Sequence, residues 1–269
     1  MPAAVLELTY RCNQACPFCY APWLENPALI GEELTVAAWK EKIERLLARG
    51  VSRFTLSGGE PLLKDGVGEL LRFLAEHPAR PRFTLYTNGA LLDAGVCQTL
   101  AAAGARAALS LPGMKNFRKL TGGQRTIYDM IDTMALLKKH GVGFSAGVTV
   151  TRPTLKQVED LASLAALNGA ESVQIGSVML EGRCLQHPEL WLTYPEILEL
   201  GARVKKLRAQ LSIPVTFAGE AYCSCRKRQH RPEGLPPDYA PPACTVDRKL
   251  IVVGADGRER RCLHTDEPL

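Results

Sequence analysis

Three thiols stand within one short stretch of the chain, Cys12, Cys16 and Cys19, spaced C-x3-C-x2-C. A loop with that spacing can gather its sulfurs around one inorganic centre. A tetrahedral zinc site would need a fourth ligand close by, yet the next cysteine, Cys97, lies far along the sequence. Three thiolates on one loop suit an iron–sulfur cluster in which one iron stays open to another ligand. Packing alone is a poor explanation for three cysteines so close together.

Further residues with chemical capacity recur downstream. Gly58-Gly59-Glu60 combines two residues without a Cβ, which lets the backbone approach a ligand closely, with a carboxylate able to face an ammonium. Asn88-Gly89 reads either as an Asn-Gly turn or as a polar strand end. Ser110 carries a hydroxyl, and Arg125 and Arg152 can each pair with a carboxylate bidentately or remain solvated. Cys97, within Val96-Cys97-Gln98, reads as a small buried hydrophobe. Cys184, in an irregular segment, is open to three readings: packing, a thiol near substrate, or a cluster ligand. A second group of cysteines, Cys223, Cys225, Cys244 and Cys262, suggests a second metal site. Spacing does not choose there between an iron–sulfur cluster and a four-cysteine structural zinc.

These residues need a frame. Strands are expected at 3–9, 53–57, 82–87, 105–111, 143–151 and 171–177, and helices at 35–48, 67–76, 90–103, 126–140 and 154–167. A Thr193…Glu196 capping box opens a further helix reaching about Leu211. The alternation has a period of roughly 30 residues, the size of a βαβ unit, and implies a parallel sheet covered by helices. The expected fold is α/β, a partial (β/α)6 TIM-type barrel over 1–190, a linking helix over 191–211, and a small cysteine-rich extension over 212–269. Sites in such folds sit at the C-terminal ends of strands. The cysteine loop, Gly58–Glu60, Asn88, Ser110 and Arg152 all follow or end strands, so five elements converge on one rim. In the extension, Ile213–Phe217 is expected as a strand, and Lys249–Val253 and Arg258–Cys262 as a hairpin turning at Ala255-Asp256-Gly257.

Composition narrows the class. The 269 residues are 46% hydrophobic and 23% charged, ordinary for a globular protein. No apolar run is long enough to span a membrane, and no secretory signal is visible. Nine cysteines, an odd and clustered set, read as metal ligands in a reducing, cytoplasmic setting. A net charge of +5 without a dense basic stripe argues against nucleic acid. The run Arg226–Arg231 reads as a solvated face, or as an attractor for an acidic substrate.

The cysteine loop, with Phe18 in the aromatic slot of C-x3-C-x-aromatic-C, resembles the signature of the radical S-adenosylmethionine (radical SAM) enzymes. The resemblance implies a [4Fe–4S] cluster on Cys12, Cys16 and Cys19. Its open iron would chelate S-adenosylmethionine, and one-electron cleavage would give a 5′-deoxyadenosyl radical that abstracts a substrate hydrogen. By the same resemblance Gly58, Gly59 and Glu60 hold the amino group, Asn88 lies near the nucleoside, and Ser110 near the methionine carboxylate. The Ser-x-Asp-Gly segment of the family reads Ser110-Leu111-Pro112-Gly113 here, so its aspartate is replaced. The spacing Cys244-x12-Gly257-x4-Cys262 resembles the start of the SPASM or shorter twitch extensions, which hold auxiliary [4Fe–4S] clusters. The later cysteine array of the full SPASM pattern is missing before Leu269, so one auxiliary cluster at most is expected, with Cys223 and Cys225 as further ligands. The implied activity is a peptide- or protein-modifying maturase served by a reductant such as a flavodoxin or ferredoxin. A tetrapyrrole or other small-molecule oxidoreductase is the alternative. A non-enzymatic electron-transfer protein is a third reading, which leaves Gly58–Glu60 and Asn88 without a purpose.

Overall fold

The structure is a computed structural model that describes residues 3–24, 27–218, 232–237 and 250–263. Strands and helices alternate from the start: β1 (Ala3–Glu7), α1 (Val36–Ala48), β2 (Arg53–Ser57), α2 (Val67–Glu76), β3 (Arg82–Thr87), α3 (Ala94–Ala102) and β4 (Arg106–Ser110). There follow α4 (Phe117–Thr121), α5 (Ile127–Lys139), β5 (Phe144–Val150), α6 (Val158–Leu167), β6 (Ser172–Ser177), α7 (Tyr194–Gln210), β7 (Val215–Ala218), β8 (Leu250–Val253) and β9 (Glu259–Arg260). The sheet order is β7-β6-β5-β4-β3-β2-β1-β8-β9. Every pairing from β7 through β1 to β8 is parallel, and only β8 with β9 is antiparallel. This is the expected α/β architecture, an open, mostly parallel sheet in sequential order with helices between the strands.

Alternation of side chains along each strand explains the layering. Leu6, Leu56, Leu85, Leu109, Val148 and Ile175 are buried against the helices, where Trp39, Ile43, Leu70, Met134, Leu161 and Val204 meet them. Burying one such side chain contributes about 1.5–3 kcal/mol. The intervening positions face the other way, and there Glu7, Ser57, Tyr86, Ser110 and Gln174 form a polar concave face. Tyr86 keeps 44% of its surface exposed although it sits on a central strand.

Helix ends follow local chemistry. The Thr35 side chain caps α1 at Ala38 N, and Asp93 caps α3 at Val96 N, so that helix starts four residues later than expected from Ala90. The Thr193/Glu196 capping box opens α7 as its sequence predicts. The stretch after β5 begins as a 3₁₀ segment, Arg152–Gln157, before α6. Helix α4 was not expected: five residues closed by Gly122 at φ +61° are too few to show a period.

The C-terminal strands are not set apart from the barrel sheet. β7 pairs with β6 at one edge, and β8 pairs with β1 at the other. The hairpin turns where expected, and Arg260 on β9 reaches back to the buried Glu7 of β1 at 2.5 Å. Cys223, Cys225, Cys244 and the basic run Arg226–Arg231 lie outside the described residues.

Candidate functional site

The site begins where β1 ends. Beyond Glu7 the chain stays zipped to the residues after β2: Leu8 N donates to Ser57 O (2.9 Å), Gly59 N to Thr9 O (2.8 Å) and Glu60 N to Arg11 O (2.8 Å). The glycines are required by this approach. A Cβ on Gly59 would lie 2.2 Å from Arg11 O, and one on Gly58, whose φ is +131°, would lie 2.5 Å from Thr9 O. The two missing Cβ atoms therefore admit the stem of the cysteine loop itself, not an open space for ligand.

Glu33, ahead of α1, fixes the same stem. Its carboxylate accepts from Thr9 Oγ1 (2.6 Å) and Tyr10 N (2.9 Å), and pairs with Lys64 Nζ at 3.2 Å. Burial works against ionisation of Glu33, but these donors outweigh it and hold its carboxyl below the ordinary range. Tyr10 packs edge-to-face on Trp23, with ring centroids 5.2 Å apart.

Glu60 is 1% exposed. One oxygen accepts from Thr87 Oγ1 (2.8 Å) and Leu62 N (3.2 Å), the other from Asn88 N (2.9 Å). No cation pairs with it among the described residues. Burial raises its pKa, and the three donors only partly offset that. Its charge also raises the pKa of Cys12, so the carboxylate and this thiol share one environment. Asn88 does two further jobs. Its side-chain amide donates to Asn13 Oδ1 in the cysteine loop (2.8 Å), and its Oδ1 accepts from Ala90 N (2.9 Å). Arg125 lies behind this strand end, donating to Asn88 O, Asp129 O and Thr133 Oγ1.

Within the loop, Cys12 is exposed and Cys16 and Cys19 are half-buried. Cys16 Sγ lies 3.5 Å from Gln14 Oε1 and 3.7 Å from Thr121 O. Burial raises all three thiol pKa values; for Cys16, burial followed by the charges of Cys19 and Cys12 pushes it up to about 12. Their protons would be lost on ligation, because a metal centre binds the thiolate form. Among the described residues no three metal-ligating side chains already stand as a metal-ion site. The donor set nevertheless fits an iron–sulfur cluster: three soft thiols on one loop, one of them exposed and within electrostatic reach of the Glu60 carboxylate.

The loop is also contacted by the segment after β6. Gly182, at φ +57°, leaves no room for a Cβ against Cys19 O (2.8 Å) and Ala21 O (2.7 Å). Arg183 Nη1 donates to Cys16 O at 3.2 Å. Phe18 packs against a small buried cluster of Val178, Leu180 and Cys184. Cys184 is fully buried there, and burial pushes its thiol up to about 12.

The remaining residues singled out in the sequence scatter. Ser110 is exposed at the end of β4. Arg152 Nε pairs with Glu196 at 3.2 Å over the start of α7. Cys97 is buried inside the helix–sheet core. Cys262 is half-buried, and its carbonyl accepts from Arg260 Nε at 3.1 Å. Asn13, Glu33, Lys64 and Arg183 were missed, because each acts through contacts distant in sequence; only Gly182-Arg183-Cys184 carried a signal, as an irregular segment.

A parallel α/β sheet with a three-thiol loop at the end of its first strand defines a class of cluster-bearing barrels. The sequence profile of the Radical SAM superfamily matches residues 6–165, and the chain belongs to that family. It is 29% identical to the PqqA peptide cyclase of Gluconobacter oxydans over 234 residues, covering 82% of this chain and 62% of that protein. It is 28% identical to the AdoMet-dependent heme synthase of Methanosarcina barkeri, covering 85% of this chain and 65% of that protein. The chain thus spans less than two thirds of these relatives' length. The crystal structure of Streptococcus suis SuiB bound to precursor peptide SuiA superposes with a TM-score of 0.74 at 15% identity, over 98% of this chain and 61% of that one, a likeness of fold.

Proposed function

We propose that this protein is a radical SAM enzyme that cleaves S-adenosylmethionine reductively and modifies a peptide or protein. When bound, the cluster and S-adenosylmethionine supply a 5′-deoxyadenosyl radical able to abstract a substrate hydrogen. Cys12, Cys16 and Cys19 would hold the cluster. Glu60, flanked by Gly58 and Gly59, would take the ammonium of S-adenosylmethionine; Asn88, Ser110 and Arg152 remain the candidates for its other polar groups.

The observation that carries this reading is Glu60: a buried carboxylate beside Cys12 with three donors and no cation among the described residues. A ligand bringing an ammonium to that point supplies the missing charge. Peptide modification is favoured by the likeness to the PqqA peptide cyclase. The similarity to the heme synthase at nearly equal identity supports a tetrapyrrole or other small-molecule substrate as the second reading. A flavodoxin or ferredoxin is the proposed electron donor, and the setting proposed is the cytoplasm, without nucleic acid. Among the described residues no helix is long and apolar enough to cross a membrane.

For the C-terminal region we retain the twitch-like reading, with Cys223, Cys225, Cys244 and Cys262 holding an auxiliary cluster. Anaerobic reconstitution tests both sites together. Wild-type protein should carry about eight irons per chain and release 5′-deoxyadenosine from S-adenosylmethionine, and the Cys12→Ala, Cys16→Ala, Cys19→Ala triple variant should keep about half the iron and release none. Retained cleavage in the triple variant refutes the first site. A triple variant holding zinc and no iron makes the second a structural zinc module. Co-expression with any short peptide found encoded beside this gene, read by mass spectrometry, then separates peptide from small-molecule chemistry.

A further inference from the structure

The segment after β6 is pressed onto the cysteine loop. Gly182 abuts the backbone from Cys19 to Ala21, Cys184 N donates to Cys19 O at 3.4 Å, and Arg183 Nη1 donates to Cys16 O at 3.2 Å. A glycine with φ +57° between strand end and arginine fixes where that guanidinium can stand. Arg183 is half-buried, so solvent screens it less than a surface arginine.

We propose that Arg183 is a positioning residue of the cluster loop, tying the Cys16 carbonyl in place and setting a positive charge beside the sulfurs that eases one-electron reduction of the cluster. The inference rests on the reading of Cys12, Cys16 and Cys19 as cluster ligands. Reduction adds one negative charge to a centre already ligated by three thiolates, so a fixed cation nearby stabilises the reduced form more than the oxidised form. Charge and hydrogen bonding around a cluster are general determinants of its potential. A guanidinium is suited to the task, since it stays charged while it donates to the Cys16 carbonyl.

The experiment is a dithionite titration of anaerobically reconstituted protein, followed by electron paramagnetic resonance, with iron counted in parallel. Arg183→Gln keeps a donor for the Cys16 carbonyl but removes the charge; Arg183→Lys keeps the charge. The glutamine variant should hold wild-type iron yet reduce about tenfold less favourably, a midpoint about 59 mV lower for one electron. The lysine variant should restore the wild-type midpoint. A glutamine variant with the wild-type midpoint overturns the proposal. So does equal loss of iron from both variants, which would make Arg183 a scaffold residue only. If wild-type protein itself holds no cluster on the loop, the ligand reading fails first, and the inference with it.

Discussion

Glu60→Gln isolates the charge at the heart of the site. The carboxylate accepts three hydrogen bonds, from Thr87 Oγ1, Leu62 N and Asn88 N. An amide keeps one acceptor oxygen, enough for Thr87 and Leu62, but turns an NH2 toward the Asn88 N–H, so one donor loses its partner. It also removes the charge that would meet an ammonium. A hydrogen bond to a charged group is worth about 1.5–3 kcal/mol, which at 1.4 kcal/mol per tenfold weakens S-adenosylmethionine binding about 10- to 150-fold. Burial opposes ionisation of Glu60 in the folded protein, so the neutral amide relieves a desolvation cost that offsets the lost hydrogen bond, and the melting temperature should move little. Anaerobic calorimetry on iron-loaded protein reads the dissociation constant. The wild-type affinity should fall as pH drops through a carboxyl pKa raised above its ordinary 4.5, because the protonated acid no longer pairs with a cation. The variant should lack that dependence. An unchanged dissociation constant at unchanged iron content refutes the reasoning.

Two further outcomes test the frame around the site. Gly59→Ala places a Cβ 2.2 Å from Arg11 O, against backbone that cannot rotate away; overpacking and the strained Gly59–Thr9 and Glu60–Arg11 hydrogen bonds together should cost about 2–4 kcal/mol. Gly141→Ala, with φ +69° and nothing within 4 Å, should cost only the left-handed strain of about 1–2 kcal/mol; equal losses in thermal unfolding of the metal-free proteins refute the close-approach argument. Glu259 on β9 accepts from Arg49 Nη1 at 2.8 Å with both oxygens and lies near Lys42; burial raises its pKa, and these cations more than reverse that. Because its folded pKa is depressed, its stabilisation is present above the unfolded value and lost as pH falls through the folded one. Glu259→Gln should therefore cost about 0.5–1 kcal/mol near neutral pH, with the difference from wild type vanishing in acid; a pH-independent difference in denaturant unfolding contradicts the ion-pair account.

The readable parts of this chain were those whose causes are local. Alternating βα segments, the Thr193/Glu196 capping box and the Ala255-Asp256-Gly257 turn each depend on residues a few positions apart; the capping box and the turn formed where expected, and the βα segments in the expected order with shifted ends at α3 and α6. The strands β7 and β8 were readable as strands, but not their partners. Nothing in Val215–Ala218 or Leu250–Val253 states that one will lie beside β6 and the other beside β1. Edge pairing is settled by which hydrogen-bonding edges the finished barrel leaves open, and that is a property of the assembled sheet.

The same division runs through the site. The spacing of Cys12, Cys16 and Cys19 announced the loop, because three thiols in so short a segment are brought together by local chain geometry alone. Gly58 and Gly59 were legible as a demand for close backbone approach, but the sequence does not say what approaches. The structure puts Thr9 and Arg11 there, so the glycines act by letting the end of β1 and the end of β2 run together, which delivers Glu60 to Cys12. Asn88, read either as a turn or as a nucleoside contact, ties its side chain to Asn13 and gives its N–H to Glu60. Arg183 and Gly182 also hold the loop. Two of these restraints are backbone contacts that only glycine permits, and the others span 75 and 167 residues of sequence. The loop that carries Cys12, Cys16 and Cys19 is thus restrained from outside itself, by the residues that follow β2, β3 and β6.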